Sequence, residues 1–178
     1  MSADRFPDAD SSPELFATLY QELHRLAERQ LHRGGAGTTL STTTLLHEAY
    51  LDIAARPDVH FPDRARFLGY AARAMRGIVI DYARRSGALK RGGGAFEITL
   101  TTDMGPAPGS AAEVEELARL SDALDELAVL EPALAELVDL HFFCGYTFGE
   151  IAELRELSER TVQRDWRKAR LLLHRALE

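Results

Sequence analysis

Residues 146–177 read YTFGEIAELRELSERTVQRDWRKARLLLHRAL, and this stretch decides the fold class of the C-terminal third of the chain. Thr147 and Glu150, three residues apart, form a capping box that opens a short helix. Ser158 can cap a longer helix, whose apolar stripe begins with Val162 and Trp166. A short helix, a turn and a longer basic helix are typical of a helix-turn-helix, whose second helix enters the major groove of DNA.

The face of the longer helix opposite the apolar stripe is polar and suits contact with DNA. Arginine can bond in two ways to guanine and glutamine to adenine, while phosphates attract every cation. An ordinary helical hairpin with a solvated basic face is the competing interpretation. The helix lengths, the cap positions and the charge favour DNA binding, through Ser158, Arg160, Gln163, Arg164 and Arg167.

The formal net charge of −7 conceals a strong segregation of charge along the chain. Between positions 64 and 91, eight basic residues accompany one acid, and from position 155 onward seven basic residues accompany four acids. Between positions 97 and 139, eleven acids accompany a single arginine. Two basic blocks separated by an acidic one predict two anion-binding surfaces.

The rest of the chain shows helical spacing and no lasting strand-like alternation, which predicts an all-α fold. Helices are expected from about position 11 to the GGAG run at 34–37, over 42–55 and over about 64–85. Further helices are expected around Leu117–Leu127 and from Pro132 to Gly145. The segments group into a tail at 1–10, a helical domain at 11–86, a flexible linker at 87–112 and a second helical domain at 113–178.

Composition excludes several classes of protein. The lone Cys144 cannot form an internal disulfide, which favours a reducing compartment. No signal peptide or membrane span is legible, so a cytoplasmic protein without membrane contact is expected. His47 and Glu48 begin like a zinc-protease helix, but Leu51 stands where the second histidine would be needed. We therefore expect no enzyme, no metal site and no cofactor.

Two parts of the sequence resemble a known family. Residues 151–177 resemble the region-four domain of bacterial sigma factors of the extracytoplasmic-function (ECF) group, in the sigma-70 family. TTLLHEAYLDIAAR at 43–56 and RARFLGYAARAMRGIVIDYARRSGALKRGG at 64–93 look like their region-two domain. The resemblance covers nearly the whole chain, in the right order and with a linker in the right place. It implies a promoter-specificity subunit of RNA polymerase.

The resemblance implies a role for particular residues of each domain. Region four would read the minus-thirty-five element of promoter DNA. Region two would bind the clamp helices of core RNA polymerase, through Leu46, His47, Glu48 and Tyr50, and would open the minus-ten element. Opening a duplex requires a pocket for unstacked bases and a cationic track for the displaced backbone. The residues suited to these tasks are His60, Phe61, Tyr70, Arg73, Arg76 and Arg84.

The chain departs from the family pattern in the turn of the helix-turn-helix. Glu156 stands where a glycine is usual, and Arg155 stands where an apolar residue is common. A side chain in a left-handed turn costs on the order of 1 kcal/mol. We therefore expect a domain that is slightly less stable than those of its relatives.

A second departure lies in STTTLLHEAYL at 41–51, where the family usually has acids at the positions of Thr43 and Thr44. Two explanations stay open. Ser41 or Thr42 caps the helix and neutral contacts suffice, or a Ser/Thr protein kinase supplies the missing charge. The candidate phosphorylation sites are Thr43 and Thr44, followed by Ser41 and Thr42. An anti-sigma factor is the other regulator to be considered.

Two other functions also stay open at this stage. One is a helix-turn-helix regulator that binds DNA without docking to core polymerase. The other is a helical interaction module with no role on DNA. The first would bind duplex DNA tightly by itself, whereas the second would show no salt-dependent binding to DNA.

Overall fold

The computed structural model describes residues 12–33, 40–56, 58–91 and 111–178, and these residues confirm the all-α fold. They form eight α-helices and one π-helical segment and contain no strand. The bounds are α1 Ser12–Thr18, α2 Tyr20–Arg33, α3 Thr42–Ala54, α4 Arg64–Arg91, α5 Ala111–Leu130, α6 Pro132–Val138, the π-helical segment Asp139–Phe143, α7 Phe148–Leu154 and α8 Glu159–Leu177.

The helices expected over 42–55 and 64–85 are confirmed, and the second of them continues to Arg91. The first expected helix is divided in two at Leu19, which is buried although it lies between α1 and α2. The predicted tail at 1–10, the GGAG run and residues 92–110 of the predicted linker lie outside the described residues.

Helix α4 is the centre of the structure. We call α1–α4 the N-terminal module and α5–α8 the C-terminal module. Helix α4 packs against α2 and α3 of its own module and against α5, α6 and the π-helical segment of the other. Phe67, Leu68, Ala71 and Met75 of α4 are fully buried. The buried side chains of both modules therefore form one continuous core.

The caps of the helix-turn-helix are those that the sequence predicts. Thr147 Oγ1 accepts a hydrogen bond of 3.1 Å from the backbone N–H of Glu150, and the Thr147 N–H donates one of 2.7 Å to the Glu150 carboxylate. This bond from the Thr147 backbone lowers the pKa of Glu150. Ser158 Oγ accepts at 3.1 Å from the N–H of Thr161, which caps α8.

The turn between α7 and α8 confirms the departure noted at Glu156. This residue has φ 54°, a left-handed conformation that favours glycine. Arg155, where an apolar residue is common, is largely buried and binds the Glu136 carboxylate at 2.9 Å and the Ala133 carbonyl at 3.0 Å. The guanidinium therefore ties the turn to α6, which an apolar side chain could not do.

Replacing Glu156 with glycine should stabilise the protein by up to about 1 kcal/mol, because the left-handed backbone would no longer carry a Cβ. For a chain of this size, that corresponds to a rise in Tm of about 2–4 °C. Calorimetry checks the prediction, with Glu156→Ala as the control, since alanine removes the charge but keeps the Cβ. Equal Tm values for the two variants would contradict the strain.

Candidate nucleic-acid interface

The N-terminal turns of α8 form a groove on the surface of the C-terminal module. The five residues that the sequence predicts for region-four DNA contact share this groove with two others, Glu159 and Thr161. Sequence reasoning missed these two, although the first residues of a recognition helix are those that reach base edges. A glutamate there can accept a hydrogen bond from cytosine N4.

The charges of the groove are open to a ligand. Arg160 and Arg167 are exposed and form no ion pair within the described residues. In the described chain, Arg164 pairs only with its neighbour Asp165, at 3.2 Å, and Gln163 donates to Glu159 at 3.1 Å. These are exposed local contacts of the kind that contribute little, so a base edge or phosphate can replace them.

The opposite face of α8 is fixed firmly to the module. Val162, Ala169 and Leu173 are buried. The Trp166 ring contacts the His141 ring edge-on, with centroids 4.6 Å apart. His141 also stacks on Phe148 with a centroid separation of 4.3 Å. The groove is thus carried by a packed helix, which limits the reorganisation needed on binding.

A second cationic group lies on α4, and the structure divides it. Arg73 and Arg84 are exposed, as their predicted contact with DNA requires. Arg76 was expected on the same open side, but only 1% of its surface is exposed. Its Nε donates to Asp139 at 2.6 Å and its Nη1 to the Ser121 carbonyl at 3.1 Å. In this arrangement Arg76 is therefore not free to bind a phosphate.

The residues predicted to hold an unstacked base border a cleft of about 380 Å³. His60 is exposed at its edge. The half-buried Phe61 ring packs edge-on against Phe67 and Tyr70, with centroids 5.1 and 5.2 Å away. The Tyr70 hydroxyl is buried and has no hydrogen-bond partner among the described residues. Tyr70 is therefore part of a packed aromatic cluster here, not a free stacking platform.

The four residues assigned to polymerase contact differ in exposure. His47 and Glu48 are exposed on α3. Leu46 is 3% exposed and packs in the core, so the expectation of a direct contact by Leu46 is wrong for this structure. Tyr50 is half-buried and packs edge-on against Phe16, with ring centroids 5.2 Å apart.

The threonine-rich start of α3 has one exposed and unused hydroxyl. Ser41 is the N-cap, and its Oγ accepts at 3.1 Å from the Thr44 N–H and lies 2.9 Å from Thr44 Oγ1. Thr42 is half-buried. Thr43 is exposed, and its hydroxyl forms no hydrogen bond within the described residues. The first turn contains no acidic residue.

The described part of the chain has neither a metal-binding group nor a membrane-spanning helix. No group of three or more His, Cys, Asp or Glu side chains within it is arranged to hold a metal ion. None of the helices described in the structure has the length and apolar character needed to cross a membrane.

A helix-turn-helix with an open cationic groove, joined to a second arginine-rich helical module, defines a DNA-binding transcription protein. The family model described as ECF sigma factor matches residues 5–178. The chain therefore belongs to the ECF sigma factor family and acts in transcription initiation with RNA polymerase. A comparison with curated proteins finds no match.

The groove predicts two kinds of loss on mutation. Replacing an arginine that reads a base, among Arg160, Arg164 and Arg167, should cost about 1–3 kcal/mol at its own promoter position, whereas loss of a phosphate contact should weaken all sequences alike. Binding of the Ala variants to a set of single-base promoter variants checks this. Arg175→Ala, at the far end of α8, is the control. Normal initiation by the triple Ala variant would contradict the assignment of the groove.

Proposed function

We propose that this chain directs core RNA polymerase to promoters by two separate contacts with DNA. Helix α8 reads the minus-thirty-five element in the major groove. The observation that carries this proposal is the α8 groove, where Arg160 and Arg167 are exposed without ion pairs in the described chain. A packed helix with open arginines at its N-terminal end fits major-groove reading.

The N-terminal module makes the second contact with DNA in this proposal. Arg73 and Arg84 of α4 hold the backbone of the opened minus-ten element, joined by Arg76 once it is released from Asp139, and His60 and Phe61 receive an unstacked base. The exposed face of α3, with His47 and Glu48, docks on the polymerase clamp helices. The segments 11–86 and 113–178 are the region-two and region-four domains, and the chain acts where the polymerase acts, in the cell interior.

Run-off transcription tests the proposal as a whole. The protein should bind core polymerase in a pull-down and should yield a specific transcript from a cognate promoter. Duplex binding without a polymerase complex would indicate a regulator that acts alone. Absence of both polymerase binding and salt-dependent DNA binding would indicate an interaction module.

The melting role of α4 can be separated from docking. Arg73→Ala combined with Arg84→Ala should reduce the permanganate reactivity of thymines near the start site, while binding to core polymerase is unchanged. Two cationic contacts with the opened strand would be lost. Arg56→Ala is the control, since Arg56 is exposed and, among the described residues, forms an ion pair only with Asp52 of α3. Undiminished thymine reactivity in the double variant would refute the role of α4.

We further propose that phosphorylation of Thr43 activates the docking helix. The geometry favours Thr43 over its neighbours, because phosphate on Ser41 or Thr44 would disrupt the cap that their hydroxyls form. A phosphothreonine carries about −1.5 to −2 charges and is favoured near a helix N-terminus. It would supply an acidic group to a first turn that has none, facing the basic clamp of the polymerase.

Protein carrying phosphothreonine at position 43, installed by genetic code expansion, should transcribe at least tenfold faster than the unmodified chain, a gain of about 1.4 kcal/mol in docking. Thr43→Ala should abolish activation by a kinase, whereas Thr42→Ala should preserve it. Full activity of the unmodified protein, or of the Thr43→Ala variant, would show that the threonines only cap the helix. Control would then fall to an anti-sigma factor.

A further inference from the structure

The three arginines of α4 assigned to strand binding all face carboxylates of the C-terminal module. Arg73 donates to Asp125 at 3.1 Å, and Arg84 lies 3.9 Å from Asp122. Arg76 contacts Asp139 at 2.6 Å and Asp125 at 3.2 Å. The acidic block of the sequence thus places carboxylates where the proposed function places phosphates.

The base-binding side is covered by the same module. His60, Phe61 and Tyr70 form one wall of the 380 Å³ cleft, and its other wall includes Ala128, Pro132, Glu136 and Asp139. Arg66 of α4 reaches across to Glu136, at 3.8 Å. Both parts of the proposed minus-ten site therefore face α5 and α6 in this structure.

This arrangement is too short for simultaneous contact with both promoter elements. The minus-ten and minus-thirty-five elements are about 25 base pairs apart, which is roughly 85 Å of duplex at ~34–36 Å per turn. A compact chain of this length has a radius of gyration of roughly 16 Å, and therefore a diameter of about 40 Å. The modules must separate before both sites are used.

We propose that the structure is a self-inhibited form of the protein, in which Asp139 holds Arg76 buried while Asp125 and Asp122 neutralise the exposed Arg73 and Arg84. This inference rests on the proposed role of α4 in melting. In the closed form the α8 groove is open to duplex DNA, while the melting site is shielded. Separation of the modules frees both the arginines and the base-binding cleft.

Two glycines of α4 provide a matched pair of variants to test this. A Cβ on Gly69 would overlap Glu136 Cγ and would lie 2.6 Å from its Cδ, and Glu136 is held by Arg155 and Arg66. A Cβ on Gly77 would meet nothing within 4 Å. Alanine raises helix propensity equally at both positions, so only Gly69→Ala should disturb the contact between α4 and α6.

Cys144 reports the separation without added labels, because it is the single cysteine of the chain. Its thiol is fully buried and accepts a hydrogen bond of 3.5 Å from Gln30 of α2, while Arg29 binds its carbonyl at 3.1 Å. Burial raises the pKa of the Cys144 thiol, which further suppresses its reaction. Loss of the α2 contacts on opening exposes the sulfur.

The experiment measures two properties of the full chain: the rate at which Cys144 reacts with a thiol reagent, and the binding of fluorescein-labelled single-stranded oligo(dT) by anisotropy. Gly69→Ala and Asp139→Ala should each increase the reaction rate at least tenfold relative to the unmodified chain. Their affinity for the oligonucleotide should become more salt-dependent. The plot of the logarithm of the binding constant against the logarithm of the salt concentration should be steeper by about 2, because each of the three freed arginines contributes ~0.7.

The controls make each outcome decisive. Gly77→Ala should behave as the unmodified chain, and adding Arg73→Ala and Arg84→Ala to Asp139→Ala should remove most of the gain in binding. Circular dichroism shows that each variant is folded. If Cys144 of the unmodified chain reacts as fast in buffer as it does in the urea-unfolded chain, the free protein is not closed. If Gly69→Ala and Asp139→Ala bind the oligonucleotide no better than Gly77→Ala, the C-terminal module does not shield the strand-binding site.

Failure of this inference can be told apart from failure of the proposed function. Suppose that the unmodified chain directs run-off transcription while Gly69→Ala and Asp139→Ala form open complexes no faster than it does. That result overturns only the self-inhibition. Absence of any transcript from all forms, including the phosphothreonine protein, overturns the proposed function and the inference with it.

Discussion

The buried ion pair between Arg76 and Asp139 is the interaction on which the arrangement of the two modules depends. Each charge comes from a different module, and each is 1% exposed. Burial raises the pKa of Asp139 to about 6, against the opposing effect of the Arg76 guanidinium. Neither charge could stay buried if its partner moved away, because an unpaired buried ion is strongly destabilising.

Buried ion pairs contribute little net stability, because each ion regains its hydration when the pair parts. The apolar core that α4 shares with the C-terminal module opposes separation, so a competing ligand is needed to shift the balance. Polymerase on one side and DNA phosphates on the other can both supply favourable contacts to the open form. In this account the duplex-reading groove acts first and the strand-binding site becomes available afterwards.

The sequence predicted those features that depend on local signals. The caps at Thr147 and Ser158 and the helices α3 and α4 follow from residues within a few positions of one another. The strained turn at Glu156 followed from the family resemblance, which places a glycine there. The burial of Arg76 did not follow, because its partner Asp139 lies 63 positions away. Helical periodicity assigns a residue to a face, but it does not say which distant element covers that face. The acidic block was visible from composition, whereas its pairing with α4 required the tertiary structure. Leu46 was misassigned for a related reason, since a family contact pattern does not record which side chains point into the core.

The distance between the two modules distinguishes a closed free protein from one that is open before it binds polymerase. Fluorescent dyes on Arg85→Cys in α4 and Arg175→Cys in α8, in a Cys144→Ala background, would report this distance by single-molecule energy transfer. The account predicts efficient transfer in the free protein, where the compact body is only about 40 Å across. It predicts a large loss of transfer once core polymerase and promoter DNA are bound. Efficient transfer that persists in a transcribing complex, or its absence in the free protein, would contradict the account.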